Sequence, residues 1–308
     1  MLFPIADAHC DYLYNDVYNG YDISDPVKDQ HISLASLKKG NVKLQFFAVW
    51  VDSRIKYPYL HQAMSMIDAC HLIVDAYDEL CWFDSDYNPE SDKTAVVLTL
   101  EGGEAIEGSL TNLRNFYRLG ARAMTFTWNH TNSLAQPAMR KNAKGLTELG
   151  KEVLYEMNEI GMAVDVSHLS DAGIDDCLAL STAPIFASHT NCRSIKAHAR
   201  NMRDDHIREI GARGGVIGVN FYIPHLTDDA KPSVRQVVDH IEHIVELGGI
   251  GCPVLGSDFD GMNPTIRDLS TSADMQNITI ELVRRGFNDD EVLRICYKNL
   301  RDYIARFF

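Results

Sequence analysis

Short runs of apolar residues recur along the chain, and segments with helical periodicity follow most of them. An apolar run bounded by turn residues is typical of a strand buried in a parallel sheet, whereas apolar residues three and four positions apart indicate an amphipathic helix. Helices are predicted over Ser109–Leu119, Leu146–Ile160 and Val234–Leu247. The predicted strands are Pro4–His9, Val42–Val51, Ala95–Leu100, Ala121–Phe126, Met162–Ser167, Pro184–Ser188, Gly215–Asn220 and Pro253–Ser257.

Eight strands that alternate with helices over 308 residues predict an α/β fold of the (β/α)8 TIM-barrel type. A doubly wound sheet is the alternative. We favour the barrel because polar residues follow at least five of the strands, as a single circular rim requires. We expect one barrel domain over residues 1–308, with an insertion at about 52–92 that contains a helix over His61–Tyr77.

Composition narrows the classes of function. The chain is 45% hydrophobic and 23% charged, as ordinary globular proteins are, and its net charge is -14. Such a charge argues against nucleic acid and anionic membranes as partners, because a phosphate-binding face needs clustered Lys and Arg. No apolar stretch approaches the ~18 residues of a membrane span, and no basic signal segment precedes the first strand. We therefore expect a cytoplasmic location.

Candidate metal ligands follow the first and third predicted strands. His9 and Asp11 are two residues apart, so they share a face of the strand and could chelate one ion. Glu101 ends an apolar strand, where an ionised carboxylate needs a compensating charge, and its two oxygens could bridge two cations. The alternatives are a solvent-exposed strand end for the first pair and a helix-dipole contact for Glu101.

Two histidines, His168 and His189, follow the fifth and sixth predicted strands, with an apolar run before each. Consecutive parallel strands could direct both side chains to one ion, and neutral imidazole is the commonest nitrogen ligand of zinc. Taken singly, each is more often a hydrogen-bonded core residue than a ligand. Another pair, His240 and His243, lies on a predicted surface helix, and we expect both to be solvated.

Asp258 follows the eighth predicted strand and could move the proton of a metal-bound water, although a buried helix N-cap is the alternative. Two ions with two exclusive ligands each and one shared carboxylate would leave positions open for a bridging hydroxide, as in catalytic sites. The complete set is His9, Asp11, Glu101, His168, His189 and Asp258.

With these residues in place, the chain resembles the membrane dipeptidase (renal dipeptidase) family of zinc peptidases, in the form of its bacterial members. The resemblance implies a (β/α)8 barrel that holds two Zn²⁺ ions and hydrolyses dipeptides. The segments that carry it are Asp7–Asp11, Glu101–Gly103, Gly145–Thr147, Asp165–Ser170, Ser188–His189, Arg200–Asn201, Val219–Tyr222 and Gly256–Gly261.

The resemblance also implies roles for residues. His9 and Asp11 would hold one zinc and His168 and His189 the other, with Glu101 between them. Asp258 would handle the proton of the catalytic water. The matching residues Arg200, Asn220 and Tyr222 would contact the peptide substrate, with Arg200 gripping its carboxylate; a surface arginine is the alternative for Arg200. The resemblance further suggests a homodimer.

The chain departs from its mammalian relatives after the fourth strand. The family's substrate-contacting histidine aligns with Trp128 here, and His130, two residues later, is the candidate replacement.

We expect a metal-bridging hydroxide to attack the peptide bond of a dipeptide, including dipeptides with a C-terminal D-residue. One alternative is another barrel amidohydrolase that acts on N-acyl amino acids or lactones, although many of those carry an H-x-H motif that this chain lacks. The other is a noncatalytic metal- or peptide-binding protein.

Overall fold

Nine parallel strands form the sheet in the computed structural model of the protein, which describes residues 2–308. Eight of them correspond to the eight apolar runs, so these predictions are confirmed. In chain order the strands are β1 (Ile5–Asp7), β2 (Val42–Trp50), β3 (Leu80–Trp82), β4 (Thr94–Glu101), β5 (Ala121–Thr125), β6 (Ala163–Asp165), β7 (Ala187–Thr190), β8 (Ile217–Val219) and β9 (Pro253–Leu255).

The sheet closes into a barrel. Neighbouring strands follow the order β6-β5-β4-β2-β1-β9-β8-β7, with β3 paired to β4 outside this path. The two ends of the path meet at a parallel bridge between Asp165 and Phe186. There the Val166 amide donates to the Phe186 carbonyl at 2.8 Å, and the Phe186 amide donates to the Val164 carbonyl at 3.0 Å. The (β/α)8 prediction is confirmed, and the doubly wound alternative is wrong.

The segment between β2 and β4 contains one predicted element and one that was not predicted. The helix expected over His61–Tyr77 begins slightly earlier and spans Tyr59–Ala76. The additional strand β3 pairs with the first half of β4, with Leu80 opposite Thr94, whereas β5 pairs with the second half of β4 from Leu98 onward.

Helices cover the outside of the barrel. No helix among residues 2–308 combines the length and the apolar character that crossing a bilayer requires. The α-helices are α1 (Tyr12–Asn19), α2 (Leu34–Gly40), α3 (Tyr59–Ala76), α4 (Leu110–Arg118), α5 (Glu148–Ile160), α6 (Asp171–Leu180), α7 (Asp204–Ala212), α8 (Ile223–Leu226), α9 (Val234–Gly248), α10 (Gln276–Arg284), α11 (Asp289–Leu293) and α12 (Asn299–Ile304).

The interior of the barrel is filled by side chains and closed at one end by the last helix. Phe46 of β2 and Phe186 before β7 meet edge to face, with 6.5 Å between ring centroids. Tyr303 of α12 packs against Phe186, and its hydroxyl donates to the Pro184 carbonyl at 2.7 Å. Because Pro184 precedes β7, α12 covers the amino-terminal end of the barrel. The opposite end remains available for a site, as in other barrels of this type.

One prediction about α9 is wrong. His240 is not solvated: it is fully buried, its Nδ1 accepts from the Cys192 amide at 3.0 Å, and its Nε2 lies 2.9 Å from the Leu226 carbonyl. The periodicity of α9 places His240 on the face that packs against the barrel, where two backbone partners satisfy its ring. His243 is half-buried beside Asp204, at 3.0 Å.

Candidate active site

The six candidate residues meet at the carboxyl-terminal end of the barrel. Glu101 is the last residue of β4, and His189 lies within β7. His9, His168 and Asp258 follow β1, β6 and β9, and Asp11 directly precedes α1. Parallel strands end at the same rim, so residues far apart in sequence become neighbours there.

One group of donors surrounds Glu101 Oε1. The Nε2 atoms of His168 and His189 lie 3.1 Å and 3.4 Å from this oxygen, and 2.9 Å from each other. Three ligand-type atoms this close, all buried, could surround a single ion.

A second group surrounds His9 Nε2. The nearest carboxylate oxygens are Asp11 Oδ2 at 3.5 Å, Glu101 Oε2 at 3.7 Å and Asp258 Oδ1 at 4.0 Å. The two oxygens of Glu101 therefore face different groups of donors. The ligand-type atoms of His9, Asp11 and Asp258 all lie within 4.8 Å of one another, as do those of His9, Glu101 and His189.

The donor set fits metal ions. His9 Nε2 is buried and has no hydrogen-bond partner, an arrangement that is costly unless a ligand completes it. Burial lowers the pKa of His168 and of His189 well below the ordinary range, so both rings are neutral, which is the form that binds metals. Burial also raises the pKa of Glu101 well above its usual value, so its ionised form needs a compensating cation.

The charge state of His9 differs from that of the other two histidines. Burial lowers its pKa, but the carboxylates of Glu101 and Asp11 outweigh this effect and raise the pKa to about 10. A proton on His9 thus compensates the same carboxylates that a metal ion would compensate.

Hydrogen bonds fix the rings of two histidines. Asn129 Oδ1 lies 2.9 Å from His168 Nδ1, and the Ser188 hydroxyl lies 2.8 Å from His189 Nδ1. Each contact leaves Nε2 directed toward Glu101, as outer partners of metal-binding histidines commonly do. Neither Asn129 nor Ser188 was assigned this contact from the sequence, because the pattern of apolar residues does not show which side chain reaches an imidazole.

Asp7 ties β1 to the end of β9 beneath the site. Its carboxylate accepts from the Ser257 amide at 2.8 Å, from the Ser257 hydroxyl at 2.7 Å and from Gln45 at 3.0 Å. It also accepts from the amide of His9 at 3.4 Å. Asp7 therefore positions the backbone that carries His9.

Asp258 contacts both His9 and Asn220. One oxygen points toward His9, and the other accepts from Asn220 Nδ2 at 2.9 Å. Burial, together with the charge of Asp11, raises the pKa of Asp258 to about 6. It is not a helix N-cap, because no helix begins there.

A cavity of about 440 Å³ opens above these residues. Tyr222 lies on its wall, as do two residues that sequence reasoning left out, Arg54 and His225. The ring of Trp128 also lines it and packs against Trp50, with 4.8 Å between ring centroids.

Two candidate substrate-binding residues are placed differently. Arg200 is buried beside the site, where its Nη2 donates to the His189 carbonyl at 3.2 Å and its Nε has no partner. His130 is exposed and lines a neighbouring cavity of about 480 Å³, beyond Trp128. The structure therefore does not bring His130 to the metal-ligand candidates.

An α/β barrel whose rim gathers neutral imidazoles and carboxylates defines the class of metal-dependent barrel hydrolases. Within this class, residues 2–302 match the model of the family described as Membrane dipeptidase (Peptidase family M19), and the chain belongs to that family. It is accordingly a metal-dependent dipeptidase by family, as the resemblance implied.

Individual proteins show the same similarity. The chain is 31% identical to Dipeptidase verJ of Clonostachys rogersoniana over 313 residues, which cover 94% of this chain and 80% of that protein. It is 30% identical to Dipeptidase 3 of Rattus norvegicus, covering 97% of this chain and 64% of the rat protein. A Rhodobacter sphaeroides metallo peptidase, solved with a phosphinate mimic of the dipeptide L-Ala-D-Ala, superposes with a TM-score of 0.89 at 22% identity, covering 100% of both chains.

Proposed function

We propose that this protein is a binuclear zinc dipeptidase that hydrolyses the peptide bond of dipeptides, including those with a C-terminal D-residue. The observation that carries the proposal is the orientation of Glu101, whose two oxygens face two different groups of nitrogen and oxygen donors. A carboxylate shared in this way is suited to bridging two cations.

In this proposal His168 and His189 would hold one ion, His9 and Asp11 would hold the other, and Glu101 would contribute to both sites. Mixed imidazole and carboxylate ligands suit zinc. When bound, the ions would supply Lewis-acid polarisation of the scissile carbonyl and would lower the pKa of a water toward ~7.

Asp258 acts as the proton carrier. Its carboxylate accepts the proton that the attacking water loses and passes it to the nitrogen of the leaving amine. Asn220 holds the second oxygen of Asp258 at 2.9 Å, which keeps the carboxylate directed toward the donor groups.

The remaining residues select a short peptide. Arg200 binds the free carboxylate of the dipeptide, because its buried guanidinium has an Nε without a partner. Tyr222 bounds the cavity whose volume of about 440 Å³ favours small substrates. His130 would meet only a substrate that extends past Trp128 into the second cavity. The Rhodobacter complex with a mimic of L-Ala-D-Ala supports the inclusion of C-terminal D-residues.

Metal analysis combined with a substrate panel tests the proposal. The purified protein is analysed for bound zinc, stripped with a chelator and assayed against dipeptides of both chiralities at the second residue, N-acyl amino acids and lactones. We expect two zinc ions per chain, dipeptide turnover that disappears on stripping, and recovery with zinc. Undiminished turnover by the stripped protein, or turnover confined to lactones or N-acyl amino acids, would refute it.

A variant separates catalysis from simple binding. Glu101→Gln keeps the shape of the side chain but removes its charge, so we expect it to lose both zinc and turnover. Full activity in this variant would show that turnover does not depend on ions held by Glu101, and it would refute the proposed site.

A further inference from the structure

Arg54 stands in the loop that follows β2, on the wall of the reaction cavity. Its side chain is 79% exposed, and it is the only Lys or Arg among the residues that line this cavity. The charged residues that share the wall are all acidic: Asp11, Glu101, Asp258 and Asp260. Arg54 is therefore the only protein cation on this wall that can attract an anionic part of a substrate.

Asp52 holds the guanidinium of Arg54 in place. Arg54 Nε donates to Asp52 Oδ1 at 3.0 Å, and Arg54 Nη2 donates to Asp52 Oδ2 at 2.7 Å. Asp52 is itself fixed, because the Tyr14 hydroxyl donates to its Oδ2 at 3.0 Å and its amide donates to Gln62 at 2.9 Å. The hydrogen bonds from Arg54 lower the pKa of Asp52, so the pair is ionised.

This geometry leaves one edge of the guanidinium free. Asp52 occupies the edge formed by Nε and Nη2. The edge formed by Nη1 and Nη2 can therefore donate two hydrogen bonds to a second carboxylate. An arginine already oriented by one carboxylate loses little freedom when it binds another.

The order of strands places the loops that carry Arg54 and Arg200 on opposite sides of the barrel rim. Around the barrel, β2 and β7 are separated by three strands on either side. Arg54 follows β2, and Arg200 follows β7. A dipeptide whose main-chain carboxylate lies at Arg200 would extend its amino-terminal residue toward Arg54.

We infer that Arg54 is a specificity-determining residue that binds an acidic side chain on the amino-terminal residue of the dipeptide. The inference depends on the proposed dipeptidase function and names a substrate class for it, namely dipeptides that begin with Glu or Asp.

The test compares kcat/KM for two pairs of dipeptides. Comparing glutamyl-alanine with glutaminyl-alanine measures the effect of a negative charge on the first residue. Comparing alanyl-glutamate with alanyl-glutamine measures the effect of the same charge on the second residue. We expect kcat/KM to be about fivefold higher for the acidic member of the first pair only. A ratio of this size corresponds to the contribution of one exposed ion pair. The preference should weaken in high salt.

Two variants and a matched control locate the effect. Arg54→Gln should abolish the preference. Arg54→Lys should retain a smaller preference, since lysine keeps the positive charge but cannot form the bidentate hydrogen bonds of a guanidinium. Lys56→Gln removes a positive charge from the same exposed loop, away from the cavity wall, and should leave the preference unchanged.

Each contrary result has a definite meaning. If Arg54→Gln lowers kcat/KM for all dipeptides by one factor, or if Lys56→Gln removes the preference equally, Arg54 does not recognise the side chain. If the wild type hydrolyses neutral dipeptides without preferring acidic ones, this inference fails and the dipeptidase assignment stands. If it hydrolyses no dipeptide at all, the proposed function itself fails.

Discussion

Three residues at the rim adopt a left-handed backbone without being glycine: His168, Asp258 and Asp260, with φ angles of 64°, 64° and 65°. Such conformations are uncommon for residues with a β-carbon and concentrate at functional sites, where surrounding structure enforces them. His168 and Asp258 direct their side chains toward Glu101 and His9, whereas Asp260 accepts from the His31 amide at 2.6 Å. Individual residues of the site are thus held in place by the backbone as well as by hydrogen bonds.

The variant Asp258→Asn tests whether Asp258 carries the proton. Asparagine tolerates the left-handed conformation, so the backbone should remain undisturbed. Because the amide cannot accept the proton of the water, we expect kcat to fall by roughly 10²–10⁴-fold. Zinc content, measured by elemental analysis, should remain at the wild-type level. A variant that loses its zinc would show that Asp258 is a ligand rather than a proton carrier.

At the scale of elements, an ion network joins α10 to α9. Glu281 accepts from Arg284 at 2.6 Å and from Arg285 at 2.8 Å. Arg285 also donates to Asp239 and Glu242 of α9, both at 2.6 Å. The hydrogen bond from Arg284 is the main reason that the pKa of Glu281 falls to about 2.

This shift predicts a pH-dependent contribution to stability. The pKa of Glu281 is lower in the folded state than its ordinary 4.5, so its contribution is complete above that value and is lost as the pH falls toward 2. Glu281→Gln should lower the free energy of unfolding by about 1 kcal/mol at pH 7 and by less near pH 3.

Urea denaturation at both pH values measures this difference. Glu246→Gln, an exposed change of the same charge on α9, serves as the control and should have little effect at either pH. An equal loss for Glu281→Gln at pH 7 and pH 3 would contradict the ionic explanation.

The apolar runs predicted all eight barrel strands because a strand buried on both faces needs an unbroken series of apolar residues. β3 was not predicted because two of its three residues are only partly buried, so no fully buried apolar run marks it. The ligand candidates could be predicted for the same reason as the strands, since they follow strand ends. Asn129, His225 and Arg54 could not be predicted, because no apolar run or ligand spacing marks them and only folding brings them to the cavity.

For the whole molecule, the concentration of buried charge at one rim predicts that metal binding and folding are coupled. An ion that binds only the folded protein stabilises it by about 2.7 kcal/mol at a hundred times its Kd. Adding zinc to stripped protein should therefore raise Tm by several degrees.

Calorimetry with and without metal checks this expectation. Calcium, which prefers oxygen ligands, should raise Tm less than zinc, because three of the five ligand candidates are imidazoles. Glu101→Gln should reduce the zinc effect. Equal increases with calcium and zinc would argue against imidazole ligation.

The junction between β6 and β7 should respond to metal binding. Backbone pairing there is limited to a single bridge, and the ladder continues through side chains: Asp165 accepts from the Ser188 amide at 3.0 Å, and the Ser167 hydroxyl from the His189 amide at 3.0 Å. His168 and His189 stand on the two sides of this junction. An ion held by both would link the two sides of this junction, so removing the ion should loosen the contact between β6 and β7.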